Sequence, residues 1–167
     1  MLRKIEPKAL KENVFSLVGD EWMLITAGCA QRCNTMTASW GGLGVLWGEN
    51  VATIYVRPQR HTREFIDREE YFTLSFFDAE YKPQLALCGA KSGREVDKVK
   101  ECGFTVACGE GGAPYFEQAR LVLVCRKQYA QPMDPAAMPA DVKEKWYPQS
   151  DFHTMYIGQI VEAYCKE

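Results

Sequence analysis

The segment NTMTASWGG, residues 34–42, alternates hydroxyl and apolar side chains. Because successive side chains of a β-strand point to opposite faces, one face of this segment would carry three hydroxyl groups and the other three apolar groups. A polar face turned to water is one interpretation, and a wall that hydrogen-bonds a small ligand is the other. The indole that ends the segment could cover a flat, apolar ligand. The candidate ligand-binding residues are Asn34, Thr35, Met36, Thr37, Ala38, Ser39 and Trp40.

The segment RPQRHT, residues 57–62, is a candidate anion site. It follows one predicted strand and opens a predicted helix, for which Thr62 is a suitable N-cap. A helix N-terminus with free N–H groups, a hydroxyl group and two guanidinium groups nearby would hold a phosphate. Surface ion pairs of the arginines with Glu64 and Asp67 are the alternative interpretation. The candidate residues are Arg57, Arg60, His61 and Thr62.

The segment AKSGRE, residues 90–95, is a third candidate, because a turn around a glycine can point several backbone N–H groups at an anion. Lys91 and Ser92 precede Gly93 and would add an ammonium and a hydroxyl group. The stretch G-A-K-S-G is not a Walker A motif. It therefore predicts at most an anion-binding turn.

Several common catalytic signatures do not occur in the sequence. It contains no G-x-G-x-x-G after a predicted strand, no G-x-x-x-x-G-K-[ST], no G-x-S-x-G and no H-E-x-x-H. These absences argue against the dinucleotide-fold, P-loop, serine-hydrolase and zinc-protease classes. We predict no catalytic side chain and no metal ligand.

Cys29 and Cys33 form a lone C-x-x-x-C among seven irregularly spaced cysteines. A structural zinc site would need further ligands, and the chain has two histidines. Small buried hydrophobes in a reducing compartment are the ordinary explanation of such cysteines. A redox-active pair across a short hairpin is the alternative.

Composition predicts a globular chain with one domain over residues 1–167. The chain is 47% hydrophobic and 25% charged, which argues against disorder. Its net charge of −2 predicts no affinity for nucleic acid or an anionic membrane surface. The charged start MLRKIEPKAL has no apolar signal region, and no stretch is long and apolar enough to span a bilayer. We expect a cytoplasmic protein.

The elements that must position these segments are short. The predicted strands are 21–28, 34–40, 51–58, 71–77, 104–108, 119–129 and 153–164, with the first two forming a hairpin. The predicted helices begin at Thr62 and Asp78 and lie over 96–102. The glycines of 41–50 predict a loop, and the prolines of 132–148 predict an irregular connection with one or two helical turns. Many short strands and few long helices predict a mainly β protein, a small barrel with peripheral helices.

In combination, these segments resemble the flavin reductase-like proteins with an FMN-binding split barrel, and their flavoredoxin branch in particular. The stretches that carry the resemblance are NTMTASWGGLGVLWG, VRPQRHTREF, FTLSFF, CGAKSGREVDK, GAPYFEQARLVLVCRKQYAQ and MYIGQIVEAY. The resemblance implies a Greek-key split β-barrel that forms a homodimer and binds FMN in a cleft near the subunit interface.

The resemblance also implies roles for the candidate residues. Asn34 to Trp40 would line the isoalloxazine ring and the ribityl chain of FMN. A second set of residues would bind the polar end of FMN or lie close to its ring: Arg57, Arg60, Thr62, Lys91, Ser92 and Gly93. Two features depart from the family: His61 stands where relatives often carry tyrosine, and the Cys29–Cys33 spacing is not expected.

The predicted function is that of an FMN-binding oxidoreductase or electron carrier, which passes electrons from NAD(P)H or a redox protein through the flavin to an acceptor. A non-catalytic flavin-binding or sensor protein is an alternative from another class. A haem-binding split barrel is a third, and it would have His61 and His153 as its candidate iron ligands.

Overall fold

The computed structural model describes residues 1–166, and the chain is mainly antiparallel β-sheet with peripheral helices. The fold class predicted from the sequence is therefore confirmed. Ten strands occur in the described part of the chain: β1 (Leu2–Ile5), β2 (Met23–Cys29), β3 (Arg32–Ala38), β4 (Gly41–Leu46), β5 (Glu49–Val56), β6 (Tyr71–Phe76), β7 (Val106–Cys108), β8 (Pro114–Phe116), β9 (Leu121–Pro132) and β10 (Thr154–Lys166).

The helices are short and lie around the sheet. They are α1 (Val14–Ser16), which continues into a π-helical turn (Leu17–Glu21), α2 (Thr62–Arg68), α3 (Lys82–Ala90), α4 (Lys98–Glu101) and α5 (Ala140–Trp146). None of the helices in residues 1–166 has the length and apolar character needed to cross a membrane.

Eight strands form one antiparallel sheet in the order β3-β2-β6-β9-β10-β5-β4, with β1 also paired to β10. The long strand β10 connects the two halves, because it pairs with β9 along its length, with β5 through its first half and with β1 through its end. The register with β9 shifts at Ile157/Gly158 and Ile160/Glu162. Such bulges bend a strand and increase its twist, which lets one strand serve both halves of a barrel.

The sheet is covered by apolar side chains on both faces. The run Leu121–Cys125 of β9 is fully buried, with Leu121 and Leu123 in one core cluster and Val122 and Val124 in the other. The first cluster fills the interior of the barrel. The second is covered by α3 and by a stack of aromatic rings that includes Phe104 and Phe116, whose centroids are 4.6 Å apart.

The irregular loop expected over 41–50 is wrong. The structure has strand β4 there, paired with β5 and joined to it by the two-residue turn Trp47–Gly48. Both turn residues have positive φ, 53° and 77°, which is the conformation that suits the right-handed twist of a hairpin. Three of the glycines that suggested a loop, at 41, 42 and 44, lie in the strand itself.

The other differences are unexpected short elements and elements whose ends differ. Strand β1 was not expected, and the helix predicted over 96–102 is limited to α4, where the side chain of Asp97 accepts a hydrogen bond from the N–H of Lys100 at 3.1 Å. Thr62 is the first residue of α2 and makes no capping hydrogen bond. Asp78 does not cap a helix either, because a 3₁₀ turn, Ala79–Tyr81, lies between it and α3.

Gly158 provides a test of the packing at the first bulge of β10. A Cβ atom at this position would lie 2.7 Å from Cζ of Phe72 and 2.9 Å from Cβ of Cys125, so Gly158→Ala overpacks the barrel interior. We expect the free energy of unfolding to fall by about 1–3 kcal/mol, as overpacking usually costs.

Urea denaturation followed by circular dichroism measures this change. The matched control is Gly44→Ala in β4, where a Cβ atom would meet no atom within 4 Å. We expect the control to change stability by less than about 0.5 kcal/mol. Equal stabilities of the two variants would show that the close approach at the bulge is relieved without cost.

Candidate functional site

The hydroxyl row of β3 is bonded largely within the protein. The hydroxyl of Thr35 shares a 2.8 Å hydrogen bond with that of Thr26 and donates to the carbonyl of Ile25 at 3.2 Å. The hydroxyl of Thr37 donates to the carbonyl of Leu85 in α3. Ser39 is half-buried and faces two clefts. The first two hydroxyls of the row therefore fix β3 to its neighbours.

Lys98 joins the free edge of β3 to the end of α3. Its side chain is 5% exposed, and its ammonium group donates to the carbonyl of Thr35 at 2.8 Å and to that of Cys88 at 2.7 Å. Strand β3 ends the sheet, so the carbonyls on its outer side have no strand partner in the described part of the chain. Lys98 is not among the residues predicted from the sequence, because nothing in a short helical pattern distinguishes a buried lysine from a solvated one.

Arg60 also joins β3 to the end of α3, two residues further along β3 than Lys98 does. Its guanidinium group donates to the carbonyl of Gly89 at 2.9 Å and to that of Thr37 at 3.3 Å. Arg60 and Lys98 thus bind alternate carbonyls of β3 and successive carbonyls near the C-terminus of α3. This pair of side chains is called the cation pair below.

The cation pair has no carboxylate partner among residues 1–166 within ion-pair distance. Burial lowers the pKa of Arg60 from its ordinary value. Burial first, and then repulsion by Arg60, lowers the pKa of Lys98 from 10.5 to about 8. Two partly desolvated positive charges side by side make the neighbouring space favourable for an anion.

A tight contact beside the cation pair holds the predicted anion-binding turn in place. The side-chain amide of Asn34 donates to the hydroxyl of Thr62 at 2.8 Å, which links β3 to the first residue of α2. Gly93 packs directly on this amide, since a Cβ atom there would lie 1.9 Å from Oδ1 of Asn34. The turn can approach β3 this closely only because residue 93 is glycine.

Two small clefts lie beside the cation pair. The first, of about 170 Å³, is lined by Met36, Gln59, Arg60, His61, Thr62, Ala90, Lys91, Ser92, Gly93 and Lys98. The second, of about 220 Å³, is lined by Met36, Thr37, Ala38, Ser39, Trp40, Tyr55, Arg57, Arg60 and His153. The two clefts share Met36 and Arg60. Their combined volume falls within the range of about 300–1,000 Å³ that is usual for small-molecule sites. They bring together members of all three predicted segments.

Arg57 has a different environment from Arg60, although both come from one short motif. It forms an ion pair with Asp151 at 2.9 Å, donates to the carbonyl of Trp146 at 3.0 Å and lies 5.0 Å above the ring of Tyr147. These contacts fasten the end of β5 to the segment after α5. Its charge is already balanced by a carboxylate, so Arg57 is less available to an anion than Arg60 is.

His153 closes the far end of the second cleft, beside Trp40. Its Nδ1 atom shares a 2.7 Å hydrogen bond with the hydroxyl of Tyr147, and its ring lies 5.4 Å from that of Trp40. Burial, and then the nearby charge of Arg57, lowers the pKa of His153 to about 4. The imidazole is therefore neutral at pH 7. His61 lines the first cleft instead, so the two histidines do not face one common cavity.

A third cleft, of about 690 Å³, adjoins the second and is mainly apolar. It shares Ser39, Trp40, Tyr55 and His153 with the second cleft. Its outer wall comes from α1 and the turn that follows, where Phe15 is 89% exposed. The third cleft is therefore an apolar space that reaches Ser39 and Trp40, just after the end of β3.

The cysteine pair of the C-x-x-x-C lies at the end of the β2–β3 hairpin. Cys29 is opposite Arg32 and Cys33 is opposite Gly28, so the two cysteines are not cross-strand partners. Both are free thiols, and the described residues contain no group of three or more histidine, cysteine, aspartate or glutamate residues that could hold a metal ion. Burial raises the pKa of Cys33 to about 11.

Comparison with known proteins identifies the fold. The family model described as "Flavin reductase like domain" matches residues 16–167. No curated protein matches the chain. Flavoredoxin from Methanosarcina acetivorans superposes with a TM-score of 0.71 at 24% identity, covering 98% of this chain and 77% of that one.

Two further solved structures show the same architecture. An FMN-binding protein from Thermus thermophilus, solved with bound p-hydroxybenzaldehyde, has a TM-score of 0.71 at 19% identity over 99% of this chain and 82% of that one. An NADH:FAD oxidoreductase from Streptomyces globisporus, in complex with NAD and FAD fragments, has a TM-score of 0.64 at 18% identity over 87% and 74%. These neighbours confirm the split-barrel fold.

Lys98 gives the site a measurable pH signature. Because its pKa is about 8 in the folded chain and about 10.4 in an unfolded one, the unfolded state binds more protons between these values. The contribution of Lys98 to the stability of the ligand-free protein should therefore rise with pH through this window, by about 1 kcal/mol from pH 7 to pH 9 according to the proton-linkage relation. Buried thiols such as Cys33, whose pKa is raised, act in the opposite direction, so the Lys98 contribution is read as a difference between two proteins.

The measurement is the free energy of unfolding at pH 7 and pH 9 in the wild type and in Lys98→Met. The variant should lack this contribution, so the free energy of unfolding of the wild type minus that of the variant should rise by about 1 kcal/mol from pH 7 to pH 9, since both proteins share every other titrating group. Lys91→Met removes an exposed lysine from the same cleft and should behave like the wild type. An identical pH dependence in the wild type and in Lys98→Met would contradict the assignment.

Proposed function

The chain belongs to the flavin reductase like domain family, and from this premise we propose that it is an FMN-binding oxidoreductase. Electrons would enter from NAD(P)H or a redox protein and leave to an acceptor. When bound, FMN supplies the redox chemistry, because its ring system accepts and releases electrons. The protein would bind the flavin, orient it and exclude water.

The cation pair is the observation that carries this proposal. Buried charges in proteins are normally paired with an opposite charge, and an unpaired one is costly. Arg60 and Lys98 border the first cleft together with Ser92 and the Lys91 ammonium. A phosphate monoester placed there would balance two charges that the described chain leaves without a carboxylate.

The adjoining cleft supports the placement of a flat ring system. Met36 and Ala38 supply apolar surface beside Trp40, which is 40% exposed and stands 5.0 Å from the ring of Trp146 in an edge-on contact. Backbone groups and the hydroxyl of Ser39 lie along the same wall. The roles proposed for the candidate residues are therefore phosphate binding in the first cleft and ring binding in the second.

The size of the first cleft favours FMN over FAD. At about 170 Å³ it has room for a phosphate group and the end of a ribityl chain, with Gly93 and Asn34 in close contact at its wall. FAD would need to continue past this turn. The Streptomyces globisporus neighbour is an NADH:FAD oxidoreductase, so the titration below compares FMN with FAD directly.

We assign the electron donor or acceptor to the third cleft. It reaches the second cleft at Trp40 and Tyr55 and is large enough, at about 690 Å³, for a small organic molecule. His153 stands between the two clefts as a neutral imidazole, so it adds no charge beside the reacting ring. Polar contact in the third cleft would come from its Nε2 atom and from the hydroxyl groups of Ser39 and Tyr55.

The first test is a titration of flavin-free protein with FMN, FAD and riboflavin. Purified protein should show a flavin absorbance spectrum rather than a haem spectrum and should release FMN on denaturation. Arg60→Ala should weaken FMN binding about 10- to 100-fold, because a hydrogen bond to a charged group contributes roughly 1.5–3 kcal/mol. Riboflavin has no phosphate, so its affinity should change by no more than a few-fold.

Arg57→Ala is the matched control for this titration, since Arg57 is paired with Asp151. It should affect FMN and riboflavin equally. A protein that takes up no flavin would refute the proposed function, whereas equal losses for both ligands in Arg60→Ala would assign Arg60 a structural role. Oxidation of NADH or NADPH with FMN bound separates an oxidoreductase from a flavin-binding protein without turnover.

We also propose that the chain forms a homodimer. Three apolar side chains near one side of the barrel are largely exposed: Phe15 by 89%, Val45 by 73% and Trp47 by 65%. The last two lie on the β4–β5 hairpin, where β4 forms an end of the sheet. An exposed apolar sheet edge is unusual in a monomer and is often covered by a two-fold partner.

Sedimentation at micromolar concentration checks this proposal. The protein should be dimeric with or without FMN, and Val45→Glu should shift it toward monomer because a carboxylate would be buried at the interface. Lys11→Glu, a charge change at another exposed position, should leave the dimer intact. A monomeric wild type would contradict the proposal.

A further inference from the structure

Two cysteines beside the cation pair are in direct contact. The sulfur atoms of Cys88 and Cys102 lie 3.7 Å apart, and both are free thiols. Cys88 is in the last turns of α3 and fully buried, while Cys102 follows α4 and is partly exposed. We propose that Cys88 and Cys102 form a reversible disulfide when hydrogen peroxide oxidises them.

The geometry suits such a bond because little movement is required. A disulfide has an S–S distance of about 2.05 Å, so the two sulfur atoms must approach by about 1.7 Å. Cys102 follows the short helix α4, of four residues, and its sulfur makes one further contact, at 3.8 Å, with the carbonyl of Gln84. The partner that must move is therefore the one at the surface.

The order of the chemical steps follows from exposure. The Cys102 thiolate would attack one oxygen of hydrogen peroxide, forming a sulfenic acid and releasing hydroxide, which takes up the thiol proton to give water. The Cys88 thiol would then attack the sulfenic sulfur and displace a second water. Two thiols and one peroxide thus give one disulfide and two waters, and dithiothreitol would reverse the change by thiol–disulfide exchange.

Little of either thiol is ionised at neutral pH, but the ammonium group of Lys98 stabilises both thiolates. Burial raises the pKa of both thiols, that of Cys88 to about 12, and the nearby ammonium group of Lys98 opposes the shift at each of them. Cys102 is the less buried of the two, which is consistent with its attacking first. Oxidation should therefore be slow at neutral pH and faster at higher pH, where more of the Cys102 thiol is ionised.

The bond would close a loop that contains the predicted anion-binding turn. Residues 89–101 lie between the two cysteines and include Lys91, Ser92, Gly93 and Lys98. Lys98 already binds the carbonyl of Cys88. A disulfide would join the end of α3 covalently to the residue that follows α4, so the turn between them would be held at both ends. A consequence that depends on the proposed function is that oxidised protein should release FMN more slowly than reduced protein.

Peptide mapping tests the disulfide without reference to any flavin. Trypsin leaves Cys88 alone in peptide 69–91, but it leaves Cys102 together with Cys108 in peptide 101–120, so Cys108→Ala serves as the background. This protein is treated with hydrogen peroxide, alkylated and digested without reductant. We expect the two peptides to appear cross-linked, with the loss of two hydrogen atoms, and to separate after dithiothreitol.

The same digest contains an internal comparison. Cys29 and Cys33 fall in peptides 12–32 and 33–60, so a cross-link between these would identify the hairpin pair instead. Cys88→Ala and Cys102→Ala should each abolish the cross-link between 69–91 and 101–120. Cross-linking elsewhere, or separate oxidation of each thiol to sulfinic acid, would overturn the proposal. FMN release then tests only the consequence, since a disulfide with unchanged release would leave the bond established.

Discussion

The rest of the site depends on one constraint, which is that the outer edge of β3 has no neighbouring strand in the described part of the chain. Backbone carbonyls that leave water need a donor, and those at the end of a helix need one as well. Lys98 and Arg60 meet both needs at once, since each donates to one carbonyl of β3 and to one near the end of α3. The edge is thus closed by charged side chains rather than by another strand.

The same two side chains leave net positive charge at the edge of β3, which is the charge that the proposed phosphate site would use. Neutral donors would have satisfied the carbonyls and left no net charge, whereas an ammonium and a guanidinium group leave two. The cost of burying them appears in the lowered pKa of Lys98. An anion that binds the folded chain and not the unfolded one would stabilise the fold by mass action, so binding at the proposed site would be linked to stability through the same two side chains.

The sequence predicted the parts of the fold that depend on local pattern. The β2–β3 hairpin and the buried run Leu121–Cys125 were recognisable because alternation and β-branched residues report strands directly. Strand β4 was not, because its glycines also fit a loop and its pairing is set by the turn at Trp47–Gly48. Lys98 could not be found at all, since one of its carbonyl partners lies 63 residues away in the sequence.

The two arginines of RPQRHT show why a motif identifies chemical groups but not their partners. Arg57 and Arg60 are three residues apart and were equivalent candidates for an anion. The structure gives Arg57 a carboxylate, Asp151, from 94 residues further along the chain, and gives Arg60 only carbonyl groups. Because tertiary partners decide which positive charge stays unbalanced, the same reasoning applies to the threonines of β3. Their hydroxyl groups made them candidates for ligand binding, but those of Thr35 and Thr37 bond within the protein, and it is their carbonyls that accept from the cation pair.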